Sequence, residues 1–369
     1  MNVFIHHLES LSPGRCYPQG YASQKMQEWS SDERQQRLVR ALYQKSGIEQ
    51  RYSVVESFDD GSDNDFFVRR PDGSIQQPTT ARRNAIYTEA SKPLAVELAR
   101  RAITNSPGIE AQDITHVVTV SCTGFCNPGP DYHVIVDLGL SPATQRYHLG
   151  FMGCYAAFPG LHMAQQFCEA DPEAVVLVLC LELCSLHLQL NGDVDSLLAN
   201  SLFSDGAAAA VVSARPLSPG QTAYRLGNFN STLIPSGAQD MAWSIGDLGF
   251  DIALSSYVPK IIGANIKDAI SPLLEMAKLT HDDIDTWAVH PGGKAIVDKV
   301  ADSLDLTAEQ VAPSRDVLKK FGNMSSATIL FVLEETLRRQ QGTVGHQVCA
   351  MAFGPGLTVE MALLEIQRG

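Results

Sequence analysis

Gly150-Phe-Met-Gly-Cys-Tyr-Ala-Ala (150–157) is the stretch on which the fold turns. A small-residue turn there hands over to an alanine-rich, helix-forming run from Tyr155 to Phe167, and the apolar, β-branched run Ala174-Val-Val-Leu-Val-Leu-Cys-Leu (174–181) follows it. Turn, helix and buried strand in that order predict an α/β unit. The turn also presents a thiol. Cys154 falls where the helix begins, so unpaired backbone N–H groups and the positive end of the helix dipole favour its thiolate, a nucleophile suited to an acyl group. Taken alone, the same cysteine reads equally well as a buried, inert thiol, since free cysteines are among the most buried residues.

The alternation of helix and strand continues on both sides. Upstream, a charged helical stretch from Ser31 to Lys45 leads to a polar, Asp/Gly-rich loop around Phe58 to Asp65. A long amphipathic helix is predicted from Thr80 to Ile103, with Ile86, Ala90, Leu94, Leu98 and Ala102 four apart as one buried stripe. Thr115 to Ser121 reads as a strand by its β-branched content, Asn127-Pro-Gly-Pro as a turn and Tyr132 to Leu138 as a helix. Asp205-Gly-Ala-Ala-Ala-Ala-Val-Val-Ser (205–213) reads as a close-packed strand, and the Pro/Ser/Gly-rich stretch from Arg215 to Thr222 as a boundary. Two halves are therefore expected, 1–218 and 223–369. The second repeats the theme. A helix near Val258 to Met276 precedes the strand Thr286-Trp-Ala-Val-His, helices near Lys294–Ser303 and Ser325–Gln340, and the strand pair Gln347–Phe353 and Leu357–Leu364. This order predicts a layered α/β fold with an internal duplication.

Composition narrows the function classes. A chain of 369 residues with 44% hydrophobic and 19% charged residues is globular and long enough for two domains or one large duplicated one. Its net charge of −13 argues against nucleic acid as a partner, although a local basic patch could still take an anionic cofactor. The start lacks a basic n-region and a long apolar h-region, and no apolar run reaches bilayer-spanning length, so neither a signal peptide nor an integral membrane segment is expected. Eight cysteines are too sparse for a disulfide scaffold and suit a reducing cytoplasm. Cys122/Cys126 and Cys180/Cys184 have loose zinc spacing, but no histidine pair accompanies them and no metal is expected.

Two further residues and a glycine-rich bend bear on Cys154. His290 ends the strand Trp287-Ala-Val and precedes Pro291-Gly-Gly, so a polar side chain is held at a strand's C-terminal edge and left open by glycines. Asn323 lies in Phe321-Gly-Asn-Met-Ser-Ser-Ala at the opening of a helix, where a cap or turn role is the ordinary one. Gly354-Pro-Gly-Leu-Thr-Val-Glu (354–360) bends the chain between two apolar strands and can deliver a backbone N–H to an oxyanion.

Cys154, His290 and Asn323, each in its own motif and in this order, resemble the condensing enzymes of the thiolase fold, and more closely the type III polyketide synthases of the chalcone and stilbene synthase family. Cys122-Thr-Gly-Phe with Pro128-Gly-Pro-Asp, Leu202-Phe-Ser-Asp-Gly-Ala-Ala-Ala, Trp287-Ala-Val-His-Pro-Gly-Gly, Gly322-Asn-Met-Ser-Ser-Ala and Phe353-Gly-Pro-Gly-Leu-Thr-Val-Glu carry the likeness from about residue 80 to the C-terminus. Gly-Phe-Met-Gly-Cys-Tyr-Ala-Ala and Glu182-Leu-Cys-Ser-Leu-His are similar to the bacterial alkylresorcinol and alkylpyrone synthases.

The resemblance implies an α/β, thiolase-like layered α-β-α-β-α fold with two similar halves, a homodimer, and CoA thioesters as substrates with no further cofactor. Cys154 would take a fatty acyl starter from CoA, or from an acyl carrier protein. His290 and Asn323 would hydrogen-bond the malonyl-CoA carbonyl and stabilise the enolate left after decarboxylation. Phe203 matches a gatekeeper between CoA tunnel and cavity, and Ile252 or Phe250 a second one. Cys122, Thr123, Cys184, His187, Ser325, Gly354 and Pro355 match positions at the cavity. Lys45 and Ala295 match CoA contacts. Two other basic CoA positions hold Leu38 and Ala41, with Arg37 and Arg40 near enough on the same helix to substitute. Asn127 stands where many plant members carry a methionine that reaches into the partner subunit. A β-ketoacyl carrier-protein synthase of the single-condensation type shares the Cys-His-Asn trio, but typically has His-Gln-Ala-Asn where this chain has His290-Pro-Gly-Gly. A non-catalytic acyl-binding subunit is the other alternative, and retention of all three residue types weighs against it.

Overall fold

The computed structural model describes residues 1–30, 32–56, 58 and 66–369. Of the predicted Asp/Gly-rich loop only Phe58 lies among them. Nine strands form one mixed sheet. The first half contributes, from the outer edge inward, Gln145–Gly150, His116–Ser121, Val175–Leu183, Asp205–Ser213 and Phe4–Leu11; the second continues with Thr222–Leu233, Thr358–Arg368, Gln347–Gly354 and Thr286–Val289. Each half places its first strand at the seam, its last strand beside that, and a parallel pair farther out. The duplication expected from element order is thus a repeat of topology. Within the main sheet the halves differ at one place: the first adds the edge strand Gln145–Gly150, and the second has the helix Ala312–Phe321 in the corresponding stretch of chain.

Phe4–Leu11 joins the halves, pairing antiparallel with Asp205–Ser213 on one side and, through Phe4 with Arg225 and Ile5 with Tyr224, with the second half on the other. Its sequence, Phe-Ile-His-His-Leu-Glu-Ser-Leu, has too little alternation to announce a strand.

Period-two alternation along the buried strands produces the layers. In Val175–Leu183, Val176, Val178 and Cys180 face a core shared with the helices Ala157–Ala170 and Thr328–Arg339, while Val175, Leu177, Leu179 and Leu181 face the helix Thr80–Thr104. In Gln347–Gly354, Val348, Ala350 and Ala352 join that same shared core, and Cys349, Met351 and Phe353 pack under the helices Val258–Ala277 and Lys294–Ser303. Two helices therefore lie between the sheet halves with helices outside each, which is the expected helix–sheet–helix–sheet–helix order. The long run of alanines in Asp205–Ser213 lets the central helices approach the sheet closely.

The helix Thr80–Thr104 corrects one expectation. Its buried row is Arg83, Tyr87, Ser91, Ala95, Leu98, Ala99 and Ala102, while Ile86, Ala90 and Leu94 are only half-buried beside it. A hydrophobic stripe was the wrong template because two long polar side chains, Arg83 and Tyr87, are buried here with partners. Arg83 donates to the carbonyls of Pro78 (3.1 Å), Leu188 (2.9 Å) and Leu186, and lies over the Phe66 ring; the Tyr87 hydroxyl meets Ser121 Oγ at 2.9 Å. These bonds fix the two loops that approach the cavity from the first half.

Candidate active site

Cys154 comes from the turn between the edge strand Gln145–Gly150 and the central helix Ala157–Ala170. The turn is tight: Phe151 and Gly153 have φ of 60° and 93°. Glycine is required at 153 twice over, by its positive φ and because a Cβ there would stand 2.7 Å from Pro355 Cδ. A Cβ on Gly354 would reach the Tyr155 ring at 2.4 Å and lie 3.6 Å from the Cys154 amide nitrogen, so the Gly354-Pro355 bend nests directly on the cysteine turn.

The electrostatics differ from the sequence expectation. Burial pushes the Cys154 thiol up to about 11; hydrogen bonds from Ser325 and Asn323 oppose the rise, and the nearby Glu182 carboxyl adds to it. A helix N-terminus contributes about 0.3–1 kcal/mol, whereas a rise of this size corresponds to about 3 kcal/mol. Desolvation wins, helped by the fact that the helix starts only at Ala157.

His290 follows the strand Thr286–Val289. Its backbone N–H donates to Met351 O at 2.8 Å and its carbonyl accepts from Gly292 N at 2.9 Å. The residue is buried, and among the described residues neither ring nitrogen has a hydrogen-bond partner. Burial drives the imidazole down to about 3, which favours its neutral form. A buried polar ring left unpaired costs about 1–3 kcal/mol, which a substrate atom that hydrogen-bonds it would recover.

Asn323 is fixed by its backbone. Its N–H donates to Leu202 O at 2.9 Å and its carbonyl accepts from Ser204 N at 2.8 Å, a β-bridge that sets it directly beside Phe203. Its side chain donates to Gly292 O at 3.2 Å and accepts from Ser325 N at 2.9 Å, so both ends of the amide are oriented. Ser325 has φ of 48°, and its hydroxyl lies 3.2 Å from Cys122 Sγ.

Cys154, His290 and Asn323 open onto one cavity of about 290 Å³. Of the other sequence-nominated residues, Phe203, Cys122, Thr123, Cys184, Ile252, Ser325 and Pro355 line it, as do Lys45 and Ala295 at its mouth. Three do not. Gly354 lies behind the cysteine turn. Phe250 and His187 lie behind the wall, in a second void of about 70 Å³ that borders the first across Cys184, Phe203, Trp243 and Ile252. Of the two gatekeeper candidates, Ile252 and not Phe250 lines the main cavity. His187 is a wall residue: one ring nitrogen bonds Thr123 O at 2.7 Å, the other accepts from Phe250 N at 3.1 Å, and the ring stacks on Phe250 with centroids 4.0 Å apart. Burial holds it neutral, down to about 4. Arg37 pairs with Glu33 at 3.4 Å and Arg40 donates to Gln27 Oε1 at 2.9 Å; neither lines the cavity.

Two residues went unassigned in the sequence. Trp243, in the hairpin of Met241–Gly246 and Gly249–Leu254, borders both voids and donates its indole N–H to Cys122 O at 3.0 Å. Nothing local in Met-Ala-Trp-Ser signals this contact. Glu182 is wholly buried near the end of Val175–Leu183 and accepts from Cys122 N (3.0 Å), Thr123 Oγ1 (2.9 Å) and Ser326 Oγ. Burial raises its carboxyl against those bonds. A lone acid in a nine-residue strand that is otherwise apolar was the available signal. No group of three or more His, Cys, Asp or Glu among the described residues is placed to hold a metal ion, and none of the helices described is long and apolar enough to cross a membrane.

A half-buried cysteine with an unpaired histidine and an oriented asparagine on one largely apolar cavity, carried by a duplicated α/β fold, is the arrangement of a condensing enzyme. Two family models match the chain, chalcone and stilbene synthases N-terminal domain over residues 8–216 and C-terminal domain over residues 226–367. The chain belongs to this family, the type III polyketide synthases, which are acyl-transferring condensing enzymes. It is 34% identical over 369 residues to the alpha-pyrone synthesis polyketide synthase-like Pks18 of Mycobacterium tuberculosis, covering 99% of this chain and 91% of that one. Among solved structures it is similar to PKS-I of the brown alga Ectocarpus siliculosus, at 31% identity and a TM-score of 0.91 over 99% and 98% of the two chains. It is also similar to the 1,3,6,8-tetrahydroxynaphthalene synthase of Streptomyces coelicolor, at 27% identity and 0.86 over the whole of both chains.

Proposed function

We propose that this synthase loads a fatty acyl starter from a CoA thioester onto Cys154, extends it with malonyl-CoA and releases alkylpyrone- or alkylresorcinol-type products. The observation that carries the reading is the convergence of Cys154, His290 and Asn323 on one cavity whose wall is mostly apolar. The thiol displaces CoA to give an acyl thioester, and the proton it gives up passes through His290, which lines the same cavity, to the departing CoA sulfur. Malonyl-CoA then enters with its thioester carbonyl toward His290 and Asn323. Loss of CO2 leaves an enolate oxygen that both donors stabilise, and its carbon attacks the Cys154 thioester, breaking the C–S bond. Asn323 donates without titrating, and its other end is tied to Ser325 N, so it is preorganised for the oxyanion.

Phe203 and Ile252 would act as gatekeepers, with Cys122, Thr123, Cys184, Ser325 and Pro355 shaping the space for the growing chain. Lys45 and Ala295 would meet CoA at the mouth. The reaction as written needs no cofactor beyond the thioesters. The assignment of 1–218 and 223–369 as the two halves is supported by the family models, which stop and start on either side of residue 220. A homodimer is supported by the exposed edge of Gln145–Gly150 and by exposed Phe125, Tyr132 and Val136, since an unpaired edge strand invites pairing with a second copy. Residence in the cytoplasm accords with eight unpaired cysteines.

The test is incubation with fatty acyl-CoA starters of increasing length and 13C-labelled malonyl-CoA, followed by product mass spectrometry. Labelled pyrones or resorcinols are expected; failure to form a C–C bond with any starter would sink the proposal.

A further inference from the structure

Cys154 has to carry a negative charge among protein atoms that exclude water, and His290 gives its sulfur no bond: among the described residues neither nitrogen of that ring has a partner. The side chains that do hydrogen-bond the thiol are Ser325 and Asn323. The amide of Asn323 has the enolate to serve as well. Ser325 has no other task in the reaction as written.

Ser325 is buried between two sulfurs. Its hydroxyl lies 3.2 Å from Cys122 Sγ and hydrogen-bonds Cys154, and all three residues line the same cavity. Its backbone is strained to stand there. A φ of 48° is a left-handed conformation more at ease in glycine, and the bond from its N–H to Asn323 Oδ1 at 2.9 Å holds it. A hydroxyl has one hydrogen, so it donates to one of the two sulfurs and accepts from the other. The surroundings set the direction. Burial raises both thiols, and the Glu182 carboxyl adds to the rise at each, but Cys122 goes well above its ordinary value and Cys154 only to about 11. Cys122 is therefore the sulfur that keeps its hydrogen, and Cys154 the one that loses it. Glu182, the competing acceptor for the Cys122 thiol, already accepts from Cys122 N, Thr123 Oγ1 and Ser326 Oγ.

We infer that the Cys122 S–H donates to Ser325 Oγ and the Ser325 O–H donates to the Cys154 sulfur, a hydrogen-bond relay that supports the thiolate as it attacks the acyl carbon. This rests on the reading of Cys154 as the acyl acceptor. No hydrogen changes owner along the relay. The bond between the acyl carbon and the CoA sulfur breaks as the Cys154 thioester forms, and the proton reaches the CoA sulfur by way of His290, as above. Ser325 is then a catalytic residue, since it touches the reacting sulfur, and Cys122 a positioning residue that acts through it. The hydrogen bond that Ser325 accepts polarises its O–H and strengthens the one it gives.

Single-turnover acylation of Cys154 by a fatty acyl-CoA is followed by mass spectrometry over a range of substrate concentrations. Alkylation of the same cysteine by iodoacetamide, which needs no CoA site, is followed in parallel. Ser325→Gly is the main variant, because glycine suits the left-handed φ and removes only the hydroxymethyl group. It should slow both reactions about ten- to hundredfold, the size of a hydrogen bond to a charged group, with half-saturating acyl-CoA within about twofold of wild type. Cys122→Ala should slow both about three- to fivefold, and Cys122→Ser, which keeps an O–H donor, should rescue them to within about twofold. Because Cys122 acts through Ser325, the double variant of Cys122→Ala with Ser325→Gly should be no slower than Ser325→Gly alone. Unchanged alkylation in Ser325→Gly, losses that multiply in the double variant, or Cys122→Ser as slow as Cys122→Ala would overturn the relay. So would a higher half-saturating concentration with the saturated rate intact, which would make Ser325 part of the wall only. If wild type takes no acyl group from any acyl-CoA, the synthase reading fails, while the alkylation rates still decide the relay.

Discussion

The two halves of the molecule share a strand order but carry different chemistry at matching places. The residue after the outer strand of each half's parallel pair is Cys122 in the first half, following His116–Ser121, and His290 in the second, following Thr286–Val289. The turns that lead into the two central helices hold Cys154 before Ala157–Ala170, and Asn323 with Ser325 before Thr328–Arg339. One architecture thus supplies a thiol from one half and an imidazole and an amide from the other, all lining the cavity where both central helices begin. Duplication built a symmetric frame, and the side chains at its matching corners became unlike. Glu182 binds the corners together, since it takes donors from Cys122 and Thr123 of the first half and Ser326 of the second.

The strongest way to break this comparison is to remove the unlike residues in turn. Cys154→Ala should lower product formation by at least about 10⁴-fold and abolish the acyl adduct seen by mass spectrometry; an adduct persisting on Cys122 or Cys184 would move the nucleophile. His290→Ala and Asn323→Ala should each lower malonyl-CoA decarboxylation by about 10²–10³-fold and slow acylation of Cys154 less. Loss of acylation first would make activation of the thiol, and not support of the enolate, the main work of these residues.

Glu182→Ala tests the tie between the halves. It leaves buried donors unpaired on both sides, and chemical denaturation should show a loss of about 2–4 kcal/mol. A neutral outcome would mean that the loops hold each other without it.

Glu334, on the central helix Thr328–Arg339, sharpens the contrast through pH. Burial lifts its carboxyl to about 7, opposed by a hydrogen bond from Ser10 and reinforced by Glu9 and Glu335, whereas Arg338 and Arg339 overcome burial to bring Glu335 to about 2. The folded protein therefore holds a proton at Glu334 that the unfolded chain has released above about 4.5. Stability attributable to this group falls as pH rises from about 4.5 to 7, by roughly 3 kcal/mol. Glu334→Gln should match wild type near pH 5 and melt higher near pH 8; a lower melting temperature at pH 8 would refute the assignment.

The smallest effect is expected at Cys122→Ser, the first-half counterpart of His290. Condensation rates should stay within about threefold, because the serine keeps a small group beside Ser325. A loss as large as that of His290→Ala would show that the two corners work as a pair.

Much of this was legible in the chain because periodicity and turn chemistry are local. The alternating strands, the glycines at the cysteine turn and the His-Pro-Gly-Gly and Gly-Asn-Met-Ser segments announce themselves within a few residues. The strand Phe4–Leu11 did not, because its partners lie some two hundred residues away and its pairing comes from them. Arg83 and Tyr87 broke the predicted stripe because polar side chains bury cheaply once partners exist, and those partners lie in distant loops.

By itself, then, the sequence determined a layered α/β chain of two similar halves, with a thiol, an imidazole and an amide in motifs that resemble one family. Only the tertiary structure decided which side chains share the cavity, that Ile252 and not Phe250 faces it, and that Trp243, Glu182 and Lys294 stand at its edges. It also set the charge state of the thiol. Proximity along the chain placed Cys154 near a helix start, but the number of protein atoms excluding water from it is a property of the whole fold, and that burial outweighs the dipole.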